Sequence, residues 1–270
     1  MKNIVLFDLD GTLTPPREPM ADDMLDYIES LQLHSDIGIV SGSPFEYISE
    51  QAQNFLDQFD FHEDGGIFRI MPCNGTQLYI STGFGYKKVH ESNMKEALGN
   101  ENYRRLIWVI SNLQVNVMEG IDIPLSGNFI SYRNSMLNWC MIGRDATREE
   151  RATFVDLDSK FQIREKLSQA FSDNLKEFQL EGIEHAIGGN TSIDVYPTGW
   201  DKRYALKHIQ EYDNIYFVGD RCMPGGNDYA LYEVLDEDKR FMTTGPEQTK
   251  EIIGGLVEKL ANNGKQSDVT

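Results

Sequence analysis

Ile4-Val5-Leu6-Phe7 runs directly into Asp8-Leu9-Asp10-Gly11-Thr12. Four apolar residues in succession, with no polar alternation, describe a strand covered on both faces, as in a parallel sheet. Acidic residues stop the run, and Gly11 lets the chain turn sharply. Asp8 and Asp10 are two residues apart, so on a continuing strand their side chains share a face. Two close carboxylates repel, which favours a bound cation or a shared proton. A hard, oxygen-liganded ion such as Mg²⁺ suits them, especially with Asp220 or Asp228 alongside. One carboxylate can then attack phosphorus while the other handles the proton on the leaving oxygen. An EF-hand is excluded, because the sixth and twelfth positions counted from Asp8 are Leu13 and Pro19.

Outward from this stretch the rhythm is α/β. Met20, Met24, Ile28 and Leu31 follow at helical spacing, and Ile37 to Val40 is a second short apolar run ending in Ser41-Gly42-Ser43-Pro44. A second amphipathic helix is expected next, with Phe45, Ile48, Ala52, Phe55 and Phe59 on one side. The middle of the chain differs. One helix is expected near Met94 to Asn112, and Arg133-Asn134-Ser135 reads as a hairpin turn between Phe129–Tyr132 and Met136–Ile142. Thr147 and Glu150 form a T-x-x-E capping box, and Asp158 is placed to cap a further helix. Ile215 to Val218 then restores the buried-strand pattern, ending in Gly219-Asp220, and a last helix is expected around Glu247 to Ala261. The expected organisation is an α/β core, residues 1–82 and 190–270, interrupted by an inserted α+β domain over 83–189.

Functional groups of open parallel sheets gather at the carboxyl ends of the strands. Three expected strands end in candidates: Asp8 with Asp10, Ser41, and Asp220. Lys202, in Gly199-Trp200-Asp201-Lys202-Arg203, would neutralise the nucleophile and the phosphoryl oxygens if placed beside the aspartates. Ser41 and its neighbouring N–H groups are suited to the same phosphate. Arg133, Arg144, Arg148 and Arg151 cluster within nineteen residues of an acidic chain, and guanidinium forks match phosphate. Arg148, flanked by acids, reads instead as a solvated ion pair. Ser192 and Asp194 alternate with Ile193 and Val195, so on a strand they share the polar face, where Asp194 can accept sugar hydroxyls.

Composition narrows the partners. The 270 residues carry a formal charge of −18, which repels nucleic acid and anionic membranes. The 40% hydrophobic and 11% aromatic content provides a packed core and excludes wholesale disorder. Cys73, Cys140 and Cys222 show no zinc spacing and read as reduced core thiols. No apolar segment of about 18 residues occurs, and the N-terminal run is too short for a signal peptide, so a cytoplasmic protein is expected.

Taken in order, these residues resemble the haloacid dehalogenase superfamily, and more closely its eukaryotic-type phosphomannomutases. The resemblance is carried by Phe7-Asp8-Leu9-Asp10-Gly11-Thr12-Leu13-Thr14-Pro15, Tyr132-Arg133-Asn134, Ile142-Gly143-Arg144 and Glu149-Glu150-Arg151. Ser192 to Pro197, Gly199 to Tyr204, and Gly219-Asp220 through Pro224-Gly225-Gly226-Asn227-Asp228 complete it. It implies an HAD-like Rossmannoid parallel-sheet core with an inserted cap domain. It implies Asp8 as the nucleophile that becomes an aspartyl-phosphate, Asp10 as general acid/base and Lys202 facing the phosphate. Mg²⁺ would be held by Asp8, the Asp10 carbonyl and Asp220, with Asn227 and Asp228 supporting the metal loop. Arg17, Arg133, Arg144, Arg151, Ser192 and Asp194 fall on substrate-binding positions. The implied reaction interconverts mannose 6-phosphate and mannose 1-phosphate, with a hexose 1,6-bisphosphate activator and a homodimer formed through the cap. Ser41-Gly42-Ser43-Pro44 departs from the Gly-Gly-Ser-Asp usual in these mutases and looks more like sugar phosphatases. A phosphatase with the same nucleophile, or a non-catalytic sugar-phosphate sensor, therefore stands as the alternative, and mannose and glucose phosphates are not distinguished.

Overall fold

The apolar runs become strands in the computed structural model, which describes residues 2–59 and 68–267. In chain order the first elements are β1 (Asn3–Phe7), α1 (Asp22–Gln32), β2 (Asp36–Val40), α2 (Phe45–Gln51), α3 (Gln53–Phe59), β3 (Phe68–Met71), β4 (Gln77–Ser81) and β5 (Tyr86–Glu91). The middle holds α4 (Met94–Gly120), β6 (Ile130–Tyr132), β7 (Leu137–Cys140), α5 (Arg148–Phe161), α6 (Ile163–Glu177), β8 (Ile183–Gly188) and β9 (Ser192–Pro197). The chain closes with β10 (Asn214–Gly219), α7 (Tyr229–Glu233), β11 (Arg240–Met242) and α8 (Pro246–Ser267).

Two compact units result. The first comprises Met1–Glu91, Asp201–Pro224 and Asp228–Thr270. Its sheet runs β11-β10-β1-β2-β3-β4-β5, parallel from β11 to β3 and antiparallel over the last two strands. Alternate residues of β1 serve opposite faces, as the pleat requires. Val5 and Phe7 pack with Met24 and Ile28 of α1 and Ile253 of α8, while Ile4 and Leu6 pack with Ala205, Phe217 and Leu231. This double coverage explains the unbroken apolar run, and it aims the residues that follow β1 at the carboxyl edge of the sheet.

The second unit comprises Ser92–Trp200 with Gly225–Asn227. Its antiparallel sheet has the order β6-β7-β9-β8. Trp139, Phe154, Phe171 and Ile110 share one core. The Trp139 indole N–H donates to Gln114 Oε1 at 2.7 Å, and the Gln114 amide donates to the Met141 carbonyl at 2.9 Å, so the buried polar atoms are paired.

Several local expectations differ in detail. Residues 83–91 lie in the first unit and 190–200 in the second, the reverse of the expected assignment. Tyr86–Glu91 pairs with β4 and extends the first sheet, whereas Ser192–Pro197 lies between β7 and β8. The hairpin turn forms with Asn134 at φ 63°, and the Thr147–Glu150 box forms in both directions. Asp158 sits inside α5, yet its Oδ1 accepts the Arg164 N–H at 2.8 Å, so it caps α6 from the preceding helix. The second amphipathic helix is divided: α2 ends at Gln51, Ala52 adopts φ −116° and ψ 30°, and α3 starts at Gln53.

Candidate active site

Asp8 follows β1, Ser41 follows β2 and Asp220 follows β10, on three neighbouring parallel strands. All three stand at one edge because parallel strands end on the same side. Gly11 completes the turn beyond Asp8 with φ +83°, and a Cβ there would lie 2.5 Å from Asp220 Oδ2. Only glycine lets the β1 loop and Asp220 approach so closely.

Asp8, Asp220 and Asp228 each present an oxygen, and these oxygens lie within 4.8 Å of one another. Lys202 enters at the start of a 3₁₀ turn over Lys202–His208, whose cap is the Asp201 side chain accepting the Arg203 N–H at 2.9 Å. The Lys202 ammonium is fully buried and donates to Asp8 Oδ1 and Asp228 Oδ1, each at 2.5 Å. Asp228 Oδ2 accepts the Arg221 N–H at 2.9 Å. Asp220 Oδ1 is buried with no hydrogen-bond partner among the described residues.

The electrostatics follow from this packing. Burial pushes Asp8 well above the usual carboxylate range; Lys202 opposes the shift, while Asp228 and Asp220 add to it. Asp220 is pushed up to about 6, by burial first and then by Asp228. Burial alone would lower Lys202, but Asp228 and Asp8 outweigh it and hold the ammonium above its ordinary value. The three carboxylates and the one buried ammonium, all ionised, carry a formal charge of −2 between them, offset in part by the Arg221 guanidinium 3.4 Å from Asp220 Oδ2 at the more exposed edge. A divalent cation cancels that charge, and the orphaned Asp220 oxygen supplies a ligand atom, so the donor set fits a hard oxygen-bound ion.

The Asp10 carboxylate does not belong to this trio. Its Oδ1 accepts the Arg17 backbone N–H and the Gln51 side-chain amide, both at 2.8 Å. Arg17 has φ 62° and an exposed side chain. Ser41 is buried; its Oγ accepts the Ser43 N–H at 3.0 Å, and its carbonyl accepts the Asn74 N–H at 2.8 Å. Asn227 falls with the second unit, and its buried Oδ1 has no hydrogen-bond partner among the described residues.

The second unit gathers part of the expected substrate set. Arg144 donates to Asn138 Oδ1 at 3.2 Å, and the Asn138 amide donates to Asp194 Oδ1 at 2.7 Å. Arg151 donates to the Ala146 carbonyl at 3.0 Å, to Thr191 Oγ1 at 2.9 Å and to the Arg144 carbonyl at 2.7 Å. Ser192 Oγ donates to the Gly188 carbonyl at 3.0 Å, and a Cβ on Gly188 would meet Asp194 Oδ2 at 2.4 Å. Arg133 stands in the β6–β7 turn, where its N–H donates to the Met136 carbonyl. Arg148 is exposed, as its acidic neighbours imply. Gln51 and Asn138 were not legible as site residues: each is an amide in an element whose pattern predicts only packing.

The parallel sheet, with aspartates and a buried lysine at its carboxyl edge, defines an α/β protein of the haloacid dehalogenase type. A family model described as eukaryotic phosphomannomutase matches residues 24–259. The chain belongs to that family. A phosphomannomutase of Encephalitozoon cuniculi is 37% identical over 272 residues, covering 99% of this chain and 98% of that one. The Drosophila melanogaster phosphomannomutase is 37% identical over 262 residues, covering 94% and 95%. Among solved structures, an IMP-nucleotidase of Plasmodium falciparum superposes with TM-score 0.70 at 16% identity, covering 96% of this chain and 67% of its own. Trehalose-6-phosphate phosphatase of Aspergillus fumigatus superposes with TM-score 0.52 at 15% identity, covering 95% and 93%. At such identities these two report the fold alone.

Proposed function

We propose that the protein interconverts mannose 6-phosphate and mannose 1-phosphate by passing the phosphoryl group through Asp8. The observation that carries the reading is the fully buried Lys202 held between Asp8 and Asp228 at the end of β1, in a chain of this family. An isolated buried ammonium is costly; here it is compensated by carboxylates that can receive and polarise a phosphoryl group.

In this reading an Asp8 oxygen attacks phosphorus and forms an acyl phosphate. Lys202 holds the opposing charge beside it. Asp10 gives a proton to the departing sugar oxygen and takes one back from the next sugar hydroxyl. Mg²⁺, held by Asp8, the Asp10 carbonyl, Asp220 and Asp228 with Asn227 in support, would supply charge neutralisation of the phosphoryl oxygens. Ser41 and its loop N–H groups bind the reacting phosphate. Arg17, Arg133, Arg144 and Arg151 bind the phosphate that is not reacting, and Ser192 and Asp194 read the sugar hydroxyls. Residues 92–200 are thus the substrate-specificity cap.

A bisphosphate formed during turnover must be retained, so a hexose 1,6-bisphosphate is the expected activator. Water must be kept from phospho-Asp8, since it would convert the mutase into a phosphatase. Cytoplasmic location, a contribution to GDP-mannose supply and a homodimer through the cap complete the reading and rest on family membership. For the dimer, Trp108, Val115 and Met118 form an exposed apolar stripe on α4, whereas Leu106, Val109, Ile110 and Leu113 are buried in the core. Among the described residues no helix is long and apolar enough to cross a membrane.

The test supplies mannose 6-phosphate, Mg²⁺ and bisphosphate primer, and follows mannose 1-phosphate against inorganic phosphate. Isomer should dominate. Dominant phosphate release would replace the mutase reading with a sugar phosphatase, and no turnover would leave a sensor.

A further inference from the structure

The break between α2 and α3 has no cause in local sequence. Residues 50–54 are Glu-Gln-Ala-Gln-Asn, with neither proline nor glycine, and Ala52 is the best helix former of all. An uninterrupted helix would give the Gln51 carbonyl to the Phe55 N–H. Instead the Phe55 N–H donates to Asn54 Oδ1 at 3.0 Å, and the Gln51 carbonyl accepts the Met20 N–H at 2.7 Å. The Asn54 amide donates to the Met20 carbonyl at 3.1 Å. The broken helix therefore clasps both backbone groups of Met20, at the end of the loop that leaves Asp10. The Gln51 side chain, 8% exposed, reaches Asp10 itself.

We infer that Gln51 is a positioning residue that fixes the orientation of the Asp10 carboxyl group, tying down Oδ1 and leaving Oδ2 for the sugar oxygen. Asp10 Oδ1 already accepts two N–H donors, from Gln51 and from Arg17, and so has no lone-pair direction left for a proton. Among the described residues no donor reaches Oδ2, which is therefore the oxygen left for an incoming group. Gln51 thereby holds the carboxyl in one rotamer. The inference rests on the role proposed for Asp10. The proton balance is simple: as the sugar oxygen–phosphorus bond breaks, Asp10 gives a proton to the leaving oxygen, and it takes one from the next hydroxyl as that attacks phospho-Asp8.

The leaving group gives a readout that a structural role would not move. Acetate leaves acetyl phosphate without a proton, whereas a sugar alkoxide needs one. Single-turnover phosphorylation of Asp8 in the full chain with Mg²⁺ is therefore measured with acetyl phosphate and with mannose 1-phosphate. Gln51→Met keeps the length and removes the donor; Gln51→Glu, the second variant, keeps the shape and replaces the amide. Each is checked by thermal melting, and either one that folds suffices. The sugar phosphate reaction should slow at least about 10-fold, within the roughly 10²–10⁴-fold that acid–base assistance contributes. The acetyl phosphate reaction should change by less than about twofold, since that step uses none of this assistance. Equal slowing with both donors, or none with either, overturns the inference while the mutase reading stands. A wild-type protein that takes phosphate from neither donor overturns both.

Discussion

Lys202→Met removes the one positive charge placed between Asp8 and Asp228, and the structure sets the scale of the loss. The ammonium is completely buried, and both of its carboxylate partners lie at 2.5 Å, themselves almost without solvent. Its removal takes the site from a formal −2 to −3 and strips two buried acids of their counter-ion. Breaking a buried pair from one side costs about 3–5 kcal/mol, a large part of a typical stability of about 5–15 kcal/mol. The loss should depend on pH. Without the ammonium, which opposes the upward shift of Asp8, that carboxyl binds a proton more readily in the folded state, so the deficit is greatest in alkali and shrinks on acidification as it neutralises. Urea unfolding should be followed by far-ultraviolet circular dichroism, because Trp108, Trp139 and Trp200 all lie in the second unit and their fluorescence would miss the first. Asp8→Asn in the same chain should recover part of the loss, since it removes one of the stranded charges. A loss below about 1 kcal/mol, well short of the buried-pair scale, or one independent of pH, would refute the assignment of Lys202 as the site's counter-ion.

Asp8→Asn should abolish turnover of mannose phosphates with the circular dichroism spectrum unchanged, because an amide cannot form an acyl phosphate; substantial residual activity would remove Asp8 from the mechanism. Asp220, pushed up to about 6, should make divalent-cation affinity fall as pH drops through that value, measured by calorimetry with Mg²⁺. The sign for metal-free stability is opposite to that of an ordinary paired carboxylate. The raised pKa favours the folded state below about 4 and the advantage is lost as pH rises through about 6, so added Mg²⁺ should raise Tm most at neutral pH. Arg144→Ala should lower kcat/KM for the sugar phosphate by about 10- to 150-fold and spare acetyl phosphate, on the scale of one charge-assisted hydrogen bond, with Arg148→Ala as the inert control. Arg151→Ala should add a fall in Tm, since its three donors tie Ala146, Thr191 and Arg144 together; equal loss with both donors for Arg144→Ala would assign that residue to folding rather than recognition.

What could be read in advance follows from how each feature is encoded. β1, β2 and β10 are buried on both faces, so their apolar runs are unbroken and the residue that stops each run is visible as a site candidate. The capping box of α5 and the Asn134 turn were legible because their chemistry is local, satisfied by groups three residues apart or by one backbone angle. The unit boundaries were not. Residues 86–91 and 192–197 carry good strand patterns, but a strand pattern states which face is apolar, not which sheet supplies the neighbours. Asn138 was hidden for a similar reason, lying on a strand whose other members are all buried, with its amide spent on Asp194 of a distant strand and on Arg144, six residues further along the chain. Gln51 is the sharpest case. A polar residue in an amphipathic stretch reads as solvent-facing, and Ala52 after it reads as helix interior, yet the helix stops there. Local preference and tertiary structure disagree at this one step, and the carbonyl released by the disagreement holds Met20 while the side chain holds Asp10. Conflicts of this kind are expected where function has shaped the chain at the expense of regularity. The interruption that pattern reading could not foresee is thus itself the pointer to the residue beside the proposed acid.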